Sequence, residues 1–146
     1  MKWIVGSDHA GYELKCELIE ALNGWGDDVQ DLGTVGPESV DYPDYAKPVA
    51  EKAANGEGLG LLVCGTGMGM MIAANKVKGV RCALAANAFT AKMSRAHNNA
   101  NVMALGARVI GGGVAKEALK AFRDTKFEGG RHGRRVGKIN DIDERE

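Results

Sequence analysis

Apolar positions along the 146-residue chain fall into two alternating textures. Short unbroken apolar runs predict strands at 2–6 (KWIVG), 28–33 (DVQDLG), 59–64 (LGLLVC), 81–86 (RCALAA) and 102–107 (VMALGA). Stripes at helical spacing lie between and after them: Leu14, Leu18, Ile19 and Leu22, then Tyr45, Val49 and Ala53, and finally Val114, Ala118, Leu119 and Phe122. Strands separated by helix-length segments must run parallel. The pattern therefore predicts an α/β fold, a three-layer α/β/α sandwich around a five-stranded parallel, Rossmann-like sheet. No linker or change of composition marks a second domain, so residues 1–146 read as one. The highly charged final piece, about 126–146 (KFEGGRHGRRVGKINDIDERE), reads as a C-terminal arm or last helix that packs on a partner subunit rather than on this core.

Sheets of this kind bind ligands beyond the carboxyl ends of their strands. That edge collects Ser7, Asp8 and His9 after the first strand, Cys64 and its glycines after the third, Asn87 after the fourth and Arg108 after the fifth. Charge adds to the picture. The formal net charge is zero, yet residues 1–57 carry 12 of the 19 acids with 4 basic residues, and residues 58–116 carry no acid and 7 basic ones. Either a basic solvated face or a site for a small anion accounts for this. Nucleic acid fits poorly, because aromatic residues are only 5% of the chain and no RNP-like or zinc-finger pattern occurs.

Three cysteines, an odd number outside any C-x-x-C pair, suit a reducing, cytoplasmic setting. The N-terminal MKWIVGSDHAG has too short an apolar run for a signal peptide, and the uncharged run 58–75, with five glycines, falls short of the ~20 apolar residues of a spanning helix, so no membrane association is expected.

The most informative stretch is GLLVCGTGMGMM, residues 60–71. Gly65, Gly67 and Gly69 alternate with Thr66 and Met68 at a strand-to-helix turn, where glycine permits positive φ and lets a ligand approach the peptide N–H groups. Familiar nucleotide and phosphatase loops fail on detail. G-x-G-x-x-G and C-x5-R would both need another residue where Met70 stands, and the G-K-[ST] ending of a P-loop is missing. Cys64 is either a buried filler, as free cysteine usually is, or a thiolate favoured by the helix start and nearby basic groups. Cys16 and Cys82, inside a helix and a strand, read as packing residues. His9 and His97 are the other groups suited to proton transfer near neutrality, beside His132 in the tail. His97 ends a helical stretch, which suits either a dipole contact or general acid–base work. No H-E-x-x-H, clustered Cys/His or aspartate-rich loop is present, so neither a metal nor another cofactor is expected.

Taken together, SDHAG (7–11), DYPDYA (41–46), CGTGMGMMIAANKVKGVRCA (64–83), SRAHNNANVMALGARVIG (94–111) and EGGRHGRRV (128–136) resemble the ribose-5-phosphate isomerase B family, which also takes in allose-6-phosphate and galactose-6-phosphate isomerases. The likeness runs over almost the whole chain. It implies a metal-free aldose–ketose isomerisation through an enediolate, with no cofactor, a phosphorylated sugar as substrate, and a homodimer or dimer of dimers with shared active sites. By resemblance, Cys64 is the base, Thr66 assists proton movement between O1 and O2, and His97 opens the sugar ring. Gly65, Gly67, Met68 and Gly69 surround the enediolate oxygen. Asp8, Tyr42 and Asn98 contact the sugar. His9, Arg108, Arg131 and Arg135 match phosphate-binding positions, the last two serving a neighbouring subunit. Arg134 receives no role. Some relatives use a glutamate base, but no acid occurs between Gly58 and Lys116 to supply one. Ribose 5-phosphate is the expected substrate. The alternatives are a hexose 6-phosphate, or a non-catalytic sugar-phosphate sensor on the same scaffold.

Overall fold

In the computed structural model, which describes residues 1–144, apolar runs and stripes become β1 (Lys2–Ser7), α1 (Tyr12–Gly24), β2 (Asp28–Asp31), α2 (Pro43–Ala54), β3 (Leu59–Cys64), α3 (Met68–Ala74), β4 (Cys82–Leu84), α4 (Ala88–Ala96), β5 (Val102–Gly106), α5 (Gly112–Asp124) and α6 (Arg131–Ile142). The five strands form one parallel sheet in the order β2-β1-β3-β5-β4. Alternation along each strand divides the core in two. Trp3, Val5, Leu61, Val63, Met103 and Leu105 face α1, α4 and α5. Ile4, Leu62, Cys64, Val102 and Ala104 face α2 and α3. The predicted three layers are therefore present.

Strand lengths follow position in the sheet. β2 and β4 are the two edges and are shorter than the predicted 28–33 and 81–86, since each has only one neighbour to sustain its ladder. β1 and β3 are adjacent although the chain visits β2 between them. Chain direction across the sheet reverses there, which opens a crevice at their carboxyl ends.

Three side chains depart from the stripes. Lys15 is fully buried on α1, where its ammonium reaches Asp31 Oδ1 (2.8 Å) and the Thr34 carbonyl (2.6 Å). A buried amine is tolerated only when so paired. It ties α1 to the segment leaving β2. Cys16, expected to pack, is exposed instead, because it lies one residue past Lys15 and off the apolar stripe of α1. Val114 is 41% exposed, and Ala115 takes its place inside. The buried stripe of α5 is Ala115, Ala118, Leu119 and Phe122, and Val114 falls outside it. Cys82 does pack as expected, and burial pushes its thiol up to about 12.

Candidate active site

Cys64 is the last residue of β3, 4% exposed, and pairs across the sheet with Gly106 at the end of β5. The chain then turns into α3 through Gly67, whose φ of +81° belongs to the left-handed region. Sterics allow no other residue there: a Cβ on Gly67 would sit 2.5 Å from Leu84 Cδ1 and 2.9 Å from the Leu105 carbonyl carbon. That conformation carries the Gly67 amide back over the strand end, where it donates to Cys64 Sγ at 3.1 Å. The Met68 amide donates in turn to Thr66 Oγ1 (3.2 Å).

Around this turn the fold gathers the other residues of the carboxyl edge. The Arg108 amide donates to the Gly65 carbonyl (2.9 Å), and its guanidinium lies over Gly65, Nη1 being 3.2 Å from where a Cβ would stand. The Tyr42 ring covers Gly69 so closely that a Cβ there would come within 2.5 Å of Cε1. Asp8, 6% exposed at the end of β1, accepts from the Gly11 amide (3.1 Å), which anchors it at the start of α1. His9 Nδ1 accepts from the Val40 amide (3.2 Å). That bond assigns the proton of the neutral ring to Nε2, leaving a donor for an anion. Asp8, His9, Tyr42, Cys64, Thr66 and Arg108 thus belong to one crevice.

His97, Asn98, Arg131 and Arg135 do not. α4 runs antiparallel to the sheet and carries the chain from the carboxyl edge at Asn87 back to the amino edge, where His97 caps it. Asn98 lines a cavity of about 350 Å³ with Asn75, Arg81, Cys82, Ala100 and Ile139, at the start of β4 and β5. The arm joins them there. The Glu128 amide donates to the Ala96 carbonyl (3.0 Å), and Arg81 reaches Asn140 of α6 (3.1 Å). Between Val102 and Gly106 the strand rises about 13 Å, so the two groups of residues occupy opposite ends of the sheet.

At the amino edge the fold also builds a cluster that sequence spacing concealed. The rings of His97 and His132 stack with centroids 4.1 Å apart and planes 9° from parallel. Glu128 Oε1 lies 3.8 Å from His97 Nε2 and 3.7 Å from His132 Nε2. Burial, and then the charges of His97 and Arg131, hold His132 below its ordinary value against the opposing pull of Glu128. The three ligand-type groups lie within 4.8 Å of one another. Parallel rings point their nitrogens side by side rather than at a common centre, and the positive charges of Arg131 and Arg135 oppose a cation. Nothing in the local sequence shows that Glu128 and His132 meet His97, because stacking depends on how the arm folds back.

The sequence profile of the ribose/galactose isomerase family matches residues 4–139. The chain belongs to the ribose/galactose isomerase family. It is an isomerase. Ribose-5-phosphate isomerase B of Escherichia coli (strain K12) is 45% identical over 141 residues, covering 96% of this chain and 95% of that protein. Among solved structures, ribose-5-phosphate isomerase B of Clostridium thermocellum superposes with a TM-score of 0.95 at 50% identity, covering 97% of each chain. That of Mycoplasma genitalium, with bound ribulose-5-phosphate, gives 0.95 at 40% identity over 99% of this chain and 97% of that one. Membership in the ribose/galactose isomerase family agrees with the parallel sheet and the crevice between β1 and β3. Among the described residues, no helix is long and apolar enough to cross a membrane.

Proposed function

We propose that this protein is a metal-independent aldose–ketose isomerase that interconverts ribose 5-phosphate and ribulose 5-phosphate, with Cys64 as the base, at sites each built from two copies of the chain. The observation that carries the reading is the Cys64 sulfur at the strand end with the Gly67 N–H donating to it. The names of the relatives above supply the sugar.

Ribose 5-phosphate is mostly cyclic and offers no carbonyl until its ring opens. His97 gives a proton to the ring oxygen as the C1–O bond breaks, and the proton released from the C1 hydroxyl restores it. The Cys64 thiolate then takes the proton from C2. The electron pair forms the C1–C2 double bond and leaves negative charge on O1, where the peptide amides of residues 65–69 receive it. Each such donor supplies about 2.7–4 kcal/mol by precedent. The Thr66 hydroxyl moves the remaining proton from O2 to O1, and the Cys64 thiol returns its proton to C1, leaving a ketone at C2. Atoms and charges balance with no external reagent. Asp8, Tyr42 and Asn98 hold sugar hydroxyls. His9 and Arg108, with the partner's Arg131 and the partner's Arg135, take the phosphate.

Distance supports a site built from two copies. Sulfur and imidazole must each come within about 3–3.5 Å of sugar atoms that lie a bond or two apart, which limits their separation to about 9 Å. Within one chain, Cys64 and His97 lie at opposite edges of the sheet. A second copy whose amino edge and α6 cover the crevice satisfies both demands. Its surface suits that role, with Ile139 and Ile142 exposed on α6 and Met68, Ile72 and Phe89 exposed near the turn.

The test is turnover of ribose 5-phosphate, allose 6-phosphate and galactose 6-phosphate side by side. Turnover of the pentose phosphate is expected. Turnover of a hexose phosphate alone would replace the substrate, and binding of all three without turnover would make the protein a sensor.

A further inference from the structure

His132 has no part in the chemistry above, yet it is the side chain against which His97 rests. It is 8% exposed, in the first turn of α6, whereas the His97 side chain is 37% exposed at the end of α4. A histidine at a helix end, with that much of its ring in water, has several rotamers open to it. A flat buried ring 4.1 Å away and 9° from parallel removes most of them. We propose that His132 is a positioning residue for ring opening, a platform whose face sets the plane and reach of the His97 imidazole.

The surroundings suit a platform better than a second acid. His132 is held below its ordinary value first by burial and then by the neighbouring charges of His97 and Arg131, which disfavours a proton on its ring. Glu128, at 3.7–3.8 Å from both rings, lies outside hydrogen-bond distance and acts on them as a nearby negative charge. α6 also carries Arg131 and Arg135, so the same helix that presents the phosphate-binding arginines orients the ring-opening group. Misplacement of a catalytic group by about 1 Å can cost about 100-fold.

The inference rests on His97 as the ring-opening group, and the two directions of the reaction separate its consequences. Ribulose 5-phosphate has its C5 oxygen esterified and cannot close a furanose ring. Deuterium exchange from solvent into its C1 therefore uses the enediolate machinery without ring opening. In His132→Ala, isomerisation of ribose 5-phosphate should fall about 10- to 100-fold, while C1 exchange in ribulose 5-phosphate stays within about threefold of the wild type. His132→Phe, which keeps a flat ring with no titrating nitrogen, should restore isomerisation to within about threefold. Wild-type isomerisation in His132→Ala, an equal loss of both rates, or a phenylalanine variant as poor as the alanine one would overturn the platform alone. A wild-type protein that neither isomerises nor exchanges these sugars would sink the proposed function and this inference with it.

Discussion

Shared sites make a quantitative demand on mixed subunits. Cys64→Ala removes the base from one end of the sheet and His97→Asn the ring-opening group from the other. Each variant alone should retain no more than about 1% of wild-type isomerisation, since general acid–base groups contribute about 100- to 10,000-fold. If the two are denatured together in equal amounts and refolded, about half of the resulting dimers pair one chain of each kind. In such a dimer, one site receives both lesions and the other receives neither. Half the dimers, each with one intact site of two, yield about a quarter of wild-type activity, at least tenfold above either parent. The same fraction holds for a dimer of dimers, provided each site lies between two chains. The assay is initial rate of ribulose 5-phosphate formation from the refolded mixture, with each variant refolded alone as control. Recovery no greater than the average of the parents would place Cys64 and His97 of one chain in the same site, and the distance argument would be wrong.

Gly67→Ala should cost about 2–4 kcal/mol in urea denaturation, because the Cβ meets the main chain of β5 and the residue is held at positive φ. Gly69→Ala should be nearly neutral in the same measurement, since the half-exposed Tyr42 ring can move aside, yet should raise KM about tenfold by displacing that ring from the crevice. Asp27, buried between Arg123 (2.6 and 2.8 Å) and the Trp3 indole (3.1 Å), has its carboxyl lowered to about 2, chiefly by the Arg123 hydrogen bonds. A depressed carboxylate stabilises the fold above its unfolded value near 3.8 and loses that contribution as pH falls through about 2. Wild-type protein should therefore exceed Asp27→Asn by about 2–4 kcal/mol at pH 7, with the gap closing between pH 4 and 2 on the order of the pKa values themselves; a gap independent of pH would refute it.

Elements buried on both faces were legible because burial writes itself as an apolar run, as in LGLLVC and VMALGA. Strand order was not, since nothing in a run of valines and leucines names its neighbour, and the early ends of β2 and β4 follow from that order. Lys15 reads as a surface charge until Asp31 and the Thr34 carbonyl are brought to it. The turn after Cys64 was legible as glycine spacing, though the specific need at Gly67, a crowded left-handed residue that points its amide at sulfur, depends on Leu84 and Leu105 from elsewhere in the chain. Local motif could nominate His97 and Arg131 but not their distance from Cys64, which is a property of the direction in which α4 returns. The stack of His97 on His132 was illegible for the same reason.

The central claim is that the Cys64 sulfur moves the carbon-bound proton, and the most direct test is deuterium exchange from solvent into C1 of ribulose 5-phosphate by wild type, Cys64→Ala and His97→Asn. The account requires exchange by the wild type, loss of at least about 100-fold in Cys64→Ala, and near-normal exchange in His97→Asn, whose lesion precedes the enediolate. Exchange at the wild-type rate in Cys64→Ala would contradict it.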